Sequence, residues 1–125
     1  MNLLLDTHIA LWWLADDPAL TQAVRDHIGD TRNLVFVSAV TVWEVSIKAS
    51  IGKLEVDDSW LEALVADGFE QLPVRWSHTE RVRRLPMIHR DPFDRILIAQ
   101  SMEERLTLVT ADETIPTYPV HCLTV

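Results

Sequence analysis

Asp6, Glu44, Asp94 and Asp112 are far apart in the chain but keep similar company. Asp6 follows Leu3-Leu4-Leu5, and Glu44 ends Thr41-Val42-Trp43-Glu44. Asp94 lies in Asp91-Pro92-Phe93-Asp94-Arg95, and Asp112 follows Leu108-Val109-Thr110-Ala111. An uncompensated carboxylate beside an apolar run is costly. In an α/β domain, ligands bind beyond the ends of the strands. Acids that converge there without as many bases repel one another, and a divalent cation is the simplest way to hold them together. The pattern points to metal-dependent catalysis.

Each acid also has a structural explanation. Asp6 suits a helix cap, as does Thr7 beside it. Thr41-x-x-Glu44 matches a capping box, and Glu44 with Lys48 makes an i,i+4 pair. Against those explanations stands the apolar setting of Val40, Val42, Trp43, Val45 and Ile47. Asp91 fits the cap of a helix opened by Pro92, with Asp94 in its first turn. Asp94 leads into the apolar run Ile96-Leu97-Ile98-Ala99, a firm support for a metal ligand, and Asp91 reads as a supporting group. Asp112 suits a turn, and Thr110 is placed to donate a hydrogen bond into the same cluster.

Other chemistries are disfavoured. The five histidines show no H-x-x-x-H spacing, which argues against zinc. No G-x-S-x-G is present, and three scattered glycines build no phosphate loop. His8 and His89 neighbour the acids and are candidates to touch substrate.

The elements that must position these residues alternate. Strands are expected at Leu3–Leu5, Leu34–Val37, Phe69–Val74, Leu106–Thr110 and Val120–Val125. Helices are expected from Ile9 to Leu14, Ala19 to Ile28, Ser38 to Ile51 and after Asp57-Asp58-Ser59. Two more follow: one capped by Ser77-His78-Thr79-Glu80 and running to about Leu85, and a well-buried one from Pro92. This order predicts a single α/β domain over residues 1–125, with a mostly parallel sheet covered on both faces.

At 125 residues and 48% hydrophobic content, the chain can build one core. No apolar run approaches the roughly 18 residues of a membrane span, and the start does not resemble a signal peptide, so a cytoplasmic protein is expected. Cys122, the single cysteine, is expected to be buried and inert. One of the adjacent Trp12 and Trp13 is a candidate partner contact. The net charge of −8 opposes nucleic-acid binding as a whole. Yet Arg75, Arg81, Arg83, Arg84, Arg90 and Arg95 crowd one short stretch. That stretch is either a phosphate-binding face or a solvated one paired with nearby acids.

Taken in order, Leu4-Leu5-Asp6-Thr7-His8, Val37 to Lys48, Gly52-Lys53-Leu54, His89 to Arg95, Ile98-Ala99-Gln100 and Val109-Thr110-Ala111-Asp112 resemble the PIN-domain ribonucleases. The similarity is strongest to the VapC-type toxins of bacterial toxin–antitoxin pairs. It implies a three-layer α/β/α sandwich with a mostly parallel sheet. It also implies an acidic cluster of Asp6, Glu44, Asp94 and Asp112 binding one or two Mg²⁺ or Mn²⁺ ions, with Asp91 competing for the third place. The implied activity is endoribonuclease cleavage, often of tRNA or rRNA, by a homodimer that a cognate antitoxin protein neutralises. Thr7, His8, Lys48, His89, Arg90, Arg95 and Thr110 are the expected substrate contacts. Two alternatives compete: a catalytically silent PIN module that binds RNA or a partner, and a signalling receiver domain. The receiver reading lacks its acidic pair after the first strand and its late lysine.

Overall fold

The computed structural model describes residues 1–125. Five strands, β1 (Asn2–Leu5), β2 (Leu34–Ser38), β3 (Glu70–Leu72), β4 (Thr107–Thr110) and β5 (Cys122–Thr124), form one sheet in the order β3-β2-β1-β4-β5. All four pairings are parallel. The helices are α1 (Thr7–Ala15), α2 (Gln22–Gly29), α3 (Ala39–Ser50), α4 (Trp60–Ala66), α5 (Trp76–Val82) and α6 (Pro92–Glu104), with a 3-10 turn at Ile115–Thr117.

β1 is the middle strand, and Leu3, Leu4 and Leu5 are wholly buried. Successive side chains enter opposite layers, as the period of a strand requires. Leu3 and Leu5 join Val35 and Val37 against Ile9, Val24 and Leu64 of α1, α2 and α4. Leu4 joins Leu108 against Val40 of α3 and Leu97, Ile98 and Ala99 of α6. The result is a three-layer α/β/α sandwich.

Register places the site. Leu5 pairs with Val37 on one side and with Val109 on the other. The residues following β1, β2 and β4 therefore leave the sheet along one edge. From β1 the chain builds outward through β2 and β3, then returns to place β4 on β1's other flank. Such a reversal of strand order opens a crevice at the carboxyl ends of the strands.

Several local expectations change. Asp6, not Thr7, caps α1, its Oδ1 accepting the Ile9 N–H at 3.0 Å. Ser38 caps α3 through the Val40 N–H, so Thr41 and Glu44 lie inside the helix and form no capping box. The fifth helix begins at Trp76, not after Ser77, because the buried His78 turns back so that its Nδ1 accepts the Arg75 N–H. Helix α2 begins at Gln22 rather than Ala19. The third and fifth strands are shorter than expected. Cys122 is only half-buried on the edge strand, which pushes its thiol up by desolvation without hiding it. Trp12 and Trp13 are both partly buried, and Trp13 donates to Asp67 at 2.9 Å. No helix is long and apolar enough to cross a membrane.

Candidate active site

Three of the four acids converge at the carboxyl edge of β1 and β4. The buried Asp6 accepts the Ile9 N–H on Oδ1 and the Thr110 hydroxyl on Oδ2, the latter at 2.5 Å. These bonds tie the end of β1 to the end of β4. Asp112 follows β4; its Oδ1 accepts the Thr114 N–H at 2.7 Å, and its own N–H donates to Thr110 Oγ1. Asp94 reaches in from the first turn of α6. Its Oδ2 lies 3.0 Å from His89 Nε2, which is also 2.9 Å from Asp112 Oδ2. Ligand-type atoms of His89, Asp94 and Asp112 all lie within 4.8 Å of one another.

Glu44 joins from α3, only 4% exposed. Thr7 donates its hydroxyl to Glu44 Oε1 at 2.7 Å and contacts Thr41 Oγ1 at 3.2 Å. Since Thr7 follows Asp6 directly, this bond brings Glu44 to the β1 end. Lys48 pairs with Glu44 Oε2 at 2.5 Å, the expected i,i+4 contact. That bond raises the Lys48 pKa, and Asp91 and Asp94 add to it from farther away. Asp91 caps α6, with Oδ1 accepting the N–H groups of Phe93 and Asp94. Between the two contenders for the third place, Asp91 is engaged by backbone and Asp94 faces the cluster.

The acids crowd one another electrostatically. Burial, then the charge of Asp91, pushes the Asp94 carboxyl up to about 7, with Asp6 and Asp112 adding to the rise. Burial also raises Asp6, against the opposing bonds from Thr110 and Ile9. Burial acts on Asp112 too, but its bonds to His89 and Thr114 outweigh it and hold this carboxyl low. Two neighbouring acids raised first by burial, and in Asp94 also by like charge, mark a candidate functional site.

The other expected contacts divide. His8 is exposed beside Asp6 and packs its ring near Trp12. Arg90 is exposed and lines a groove with Met87, Pro92 and Ile96, away from the acids. Arg95 is 7% exposed, and its guanidinium donates to the carbonyls of Val82, Pro86 and His89 and to the Tyr118 hydroxyl. It is buried in loop support and is not available to solvent. Arg81 pairs with Glu103, while Arg83 and Arg84 pair with Glu80. Tyr118 and Thr114 did not stand out in the sequence, and Thr41 did so only as a helix cap. Tyr118 carries the one available signal, as the only tyrosine of the chain.

Comparison with known proteins agrees with this fold. The chain is 30% identical over 115 residues to Ribonuclease VapC22 of Mycobacterium tuberculosis, covering 89% of this chain and 87% of that protein. Its fold matches a chain of VapBC2 from Rickettsia felis, crystallised with a DNA fragment from their promoter (TM-score 0.77, 16% identity, 99% and 98% coverage). It also matches DNA-bound VapBC from Salmonella typhimurium (TM-score 0.70, 16% identity, 99% and 98% coverage). A third match is FitAcB from Neisseria gonorrhoeae (TM-score 0.64, 18% identity, 98% and 96% coverage). A family model described as PIN domain covers residues 3–120, and on that match and this architecture the chain belongs to the PIN domain family.

Proposed function

We propose that this protein is a divalent-metal-dependent endoribonuclease, the toxin of a toxin–antitoxin pair. The observation that carries the reading is the meeting of Asp6, Asp94 and Asp112 at the β1–β4 edge, with Glu44 tied in through Thr7. The similarity to a ribonuclease supports it.

The donor set suits a hard cation. The groups facing the pocket are carboxylate oxygens and one imidazole, that of His89, with no thiolate among them. Oxygen donors at a site of unrelieved negative charge fit Mg²⁺ or Mn²⁺ better than zinc. Asp6, Glu44, Asp94 and Asp112 would hold one or two ions, with Asp91 in support. When bound, the ion acidifies a water and neutralises charge on the scissile phosphate. The chain's own work is to hold these acids rigidly. Thr110 and the Ile9 N–H fix Asp6, and Thr7 and Lys48 fix Glu44. Lys48 and His8 supply positive or donor groups near the cluster for RNA phosphates, and exposed Arg90 offers a further cation beside α6. Water attacking phosphorus, with the 3′-oxygen leaving and taking up a proton, would give 5′-phosphate and 3′-hydroxyl ends.

The substrate class proposed is tRNA or rRNA, in the cytoplasm. An antitoxin partner fits the likeness to VapBC complexes. A homodimer fits the exposed stripe of Trp43, Ile47 and Ile51 along α3.

The test is RNA cleavage by purified protein with Mg²⁺ or Mn²⁺, set beside Asp6→Asn, with mapping of the new ends. Asp6→Asn is expected to lose at least about a hundredfold in rate. Equal cleavage by both proteins, or 2′,3′-cyclic phosphate products, would refute the proposal.

A further inference from the structure

His89 has no task in the hydrolysis scheme, yet both of its ring nitrogens are engaged beside the acids. Its Nδ1 accepts the Asp91 N–H at 3.1 Å. A ring nitrogen that accepts carries no proton, so the proton of the neutral ring resides on Nε2. That single Nε2–H faces two carboxylates from different elements, Asp112 Oδ2 at 2.9 Å and Asp94 Oδ2 at 3.0 Å.

The ring is braced from behind. The N–H groups of Ile88 and His89 donate to the Tyr118 hydroxyl at 3.2 and 2.7 Å. Arg95 Nη1 donates to the same hydroxyl, to His89 O and to Pro86 O, and Nη2 donates to Val82 O. A buried guanidinium bound to four oxygens on three segments does not yield easily. The loop before α6 is therefore fixed to the turn after β4, and the backbone that carries His89 is held with it.

We infer that His89 is a positioning residue: its Nε2–H clamps Asp94 and Asp112 at one separation, so that both present oxygens to a divalent cation, and it does not contact RNA. The inference rests on the cation reading above. Two carboxylates with no donor between them repel and turn apart, and a cation must then gather them again. The clamp engages the Oδ2 atom of each acid. Asp112 Oδ1 is turned to the Thr114 N–H. Groups that orient metal ligands in this way change metal affinity by about 10- to 100-fold when lost.

Two variants isolate the clamp. His89→Asn keeps an acceptor for the Asp91 N–H but is too short to reach the acids. His89→Gln extends a donor to about the place of Nε2. Mn²⁺ alone is titrated calorimetrically into the wild type and both variants at pH 8, with melts in EDTA to establish folding. The Asn variant is expected to bind Mn²⁺ about tenfold more weakly. The Gln variant is expected to recover most of the loss, at unchanged KM for RNA under saturating metal. Wild-type affinity in the Asn variant, or equal weakening in both variants, overturns the inference while the cation site stands. A raised KM for RNA with unaltered Mn²⁺ binding overturns it in favour of substrate contact. Wild-type protein that binds no Mn²⁺ removes the cation reading and this inference together.

Discussion

Asp94 shows what a single carboxyl costs when neighbours of like charge and partial burial meet. With its carboxyl pushed up to about 7, first by burial and then by Asp91, the folded metal-free chain keeps a proton that the unfolded chain releases near 4. Stability from this group is therefore present at low pH and is lost as pH rises through about 7. The raised Asp6 adds in the same direction, whereas the lowered Asp112 gives a contribution that disappears on acidification. In EDTA, Asp94→Asn is expected to flatten the fall in melting temperature between pH 5 and 8. Added Mn²⁺ is expected to raise the pH 8 melting temperature of the wild type more than that of the variant. A wild-type melting temperature that climbs across this range in EDTA would contradict the assignment. The acids themselves were legible in the sequence because each interrupts an apolar run. Their supports were less so. Nothing local in Ile115-Pro116-Thr117-Tyr118 announces that the tyrosine hydroxyl will brace a loop 29 residues upstream. Arg95 looked like a member of a basic cluster, but its place on the buried face of α6 was decided by tertiary packing.

Among the elements, α3 and α6 carry Glu44 and Asp94 and must hold a fixed relation. A buried polar chain joins them. Ser38 at the start of α3 donates to Gln100 Oε1 of α6 at 2.6 Å, and Gln100 Nε2 donates to Pro73 O at 3.2 Å. His78 of α5 then bonds Glu104 of α6 at 2.8 Å. Replacing Gln100 by Leu strands the Ser38 hydroxyl and the Pro73 carbonyl, and about 2 kcal/mol of stability is expected to go, read by urea denaturation. A loss under about 0.5 kcal/mol would mean that water replaces the amide. At the turn after α4, Gly68 has φ of +83°, so Gly68→Ala is expected to cost about 1 kcal/mol in the same assay. Strand and helix identities followed from periodicity and from Gly and Pro punctuation. Helix starts did not, because Asp6-Thr7 and Ser38 with Thr41 each offer two caps, and only the strand register chooses between them.

Across the whole molecule, a chain at −8 must still meet a polyanion if the proposed activity is correct. Arg81, Arg83 and Arg84 are spent on Glu103 and Glu80. Exposed Arg90 lines a groove with Met87 and Pro92 and is in none of these ion pairs. Arg90→Gln is expected to weaken RNA binding and reduce the salt slope of log K by about 1, while the double change Arg83→Gln with Arg84→Gln moves it less. The reverse ranking, measured by filter binding across salt concentrations, would place the RNA on α5 instead. Sequence clustering of arginines could not separate these roles, since Arg81 lies in the last turn of α5, Arg83 and Arg84 follow it, and Arg95 is buried on α6. The fold class was readable from strand–helix alternation, but the position of β4 beside β1 was not, because pairing order is set by packing of the finished sheet.

The bond from Thr110 to Asp6 spans 104 positions of the chain. During translation, the first acid is made long before its partner strand leaves the ribosome. A growing polypeptide, however well its amino-terminal half has folded, thus lacks the assembled pocket until synthesis is nearly complete. If the proposed toxin activity is correct, that delay confines it to finished molecules, the form an antidote would have to intercept.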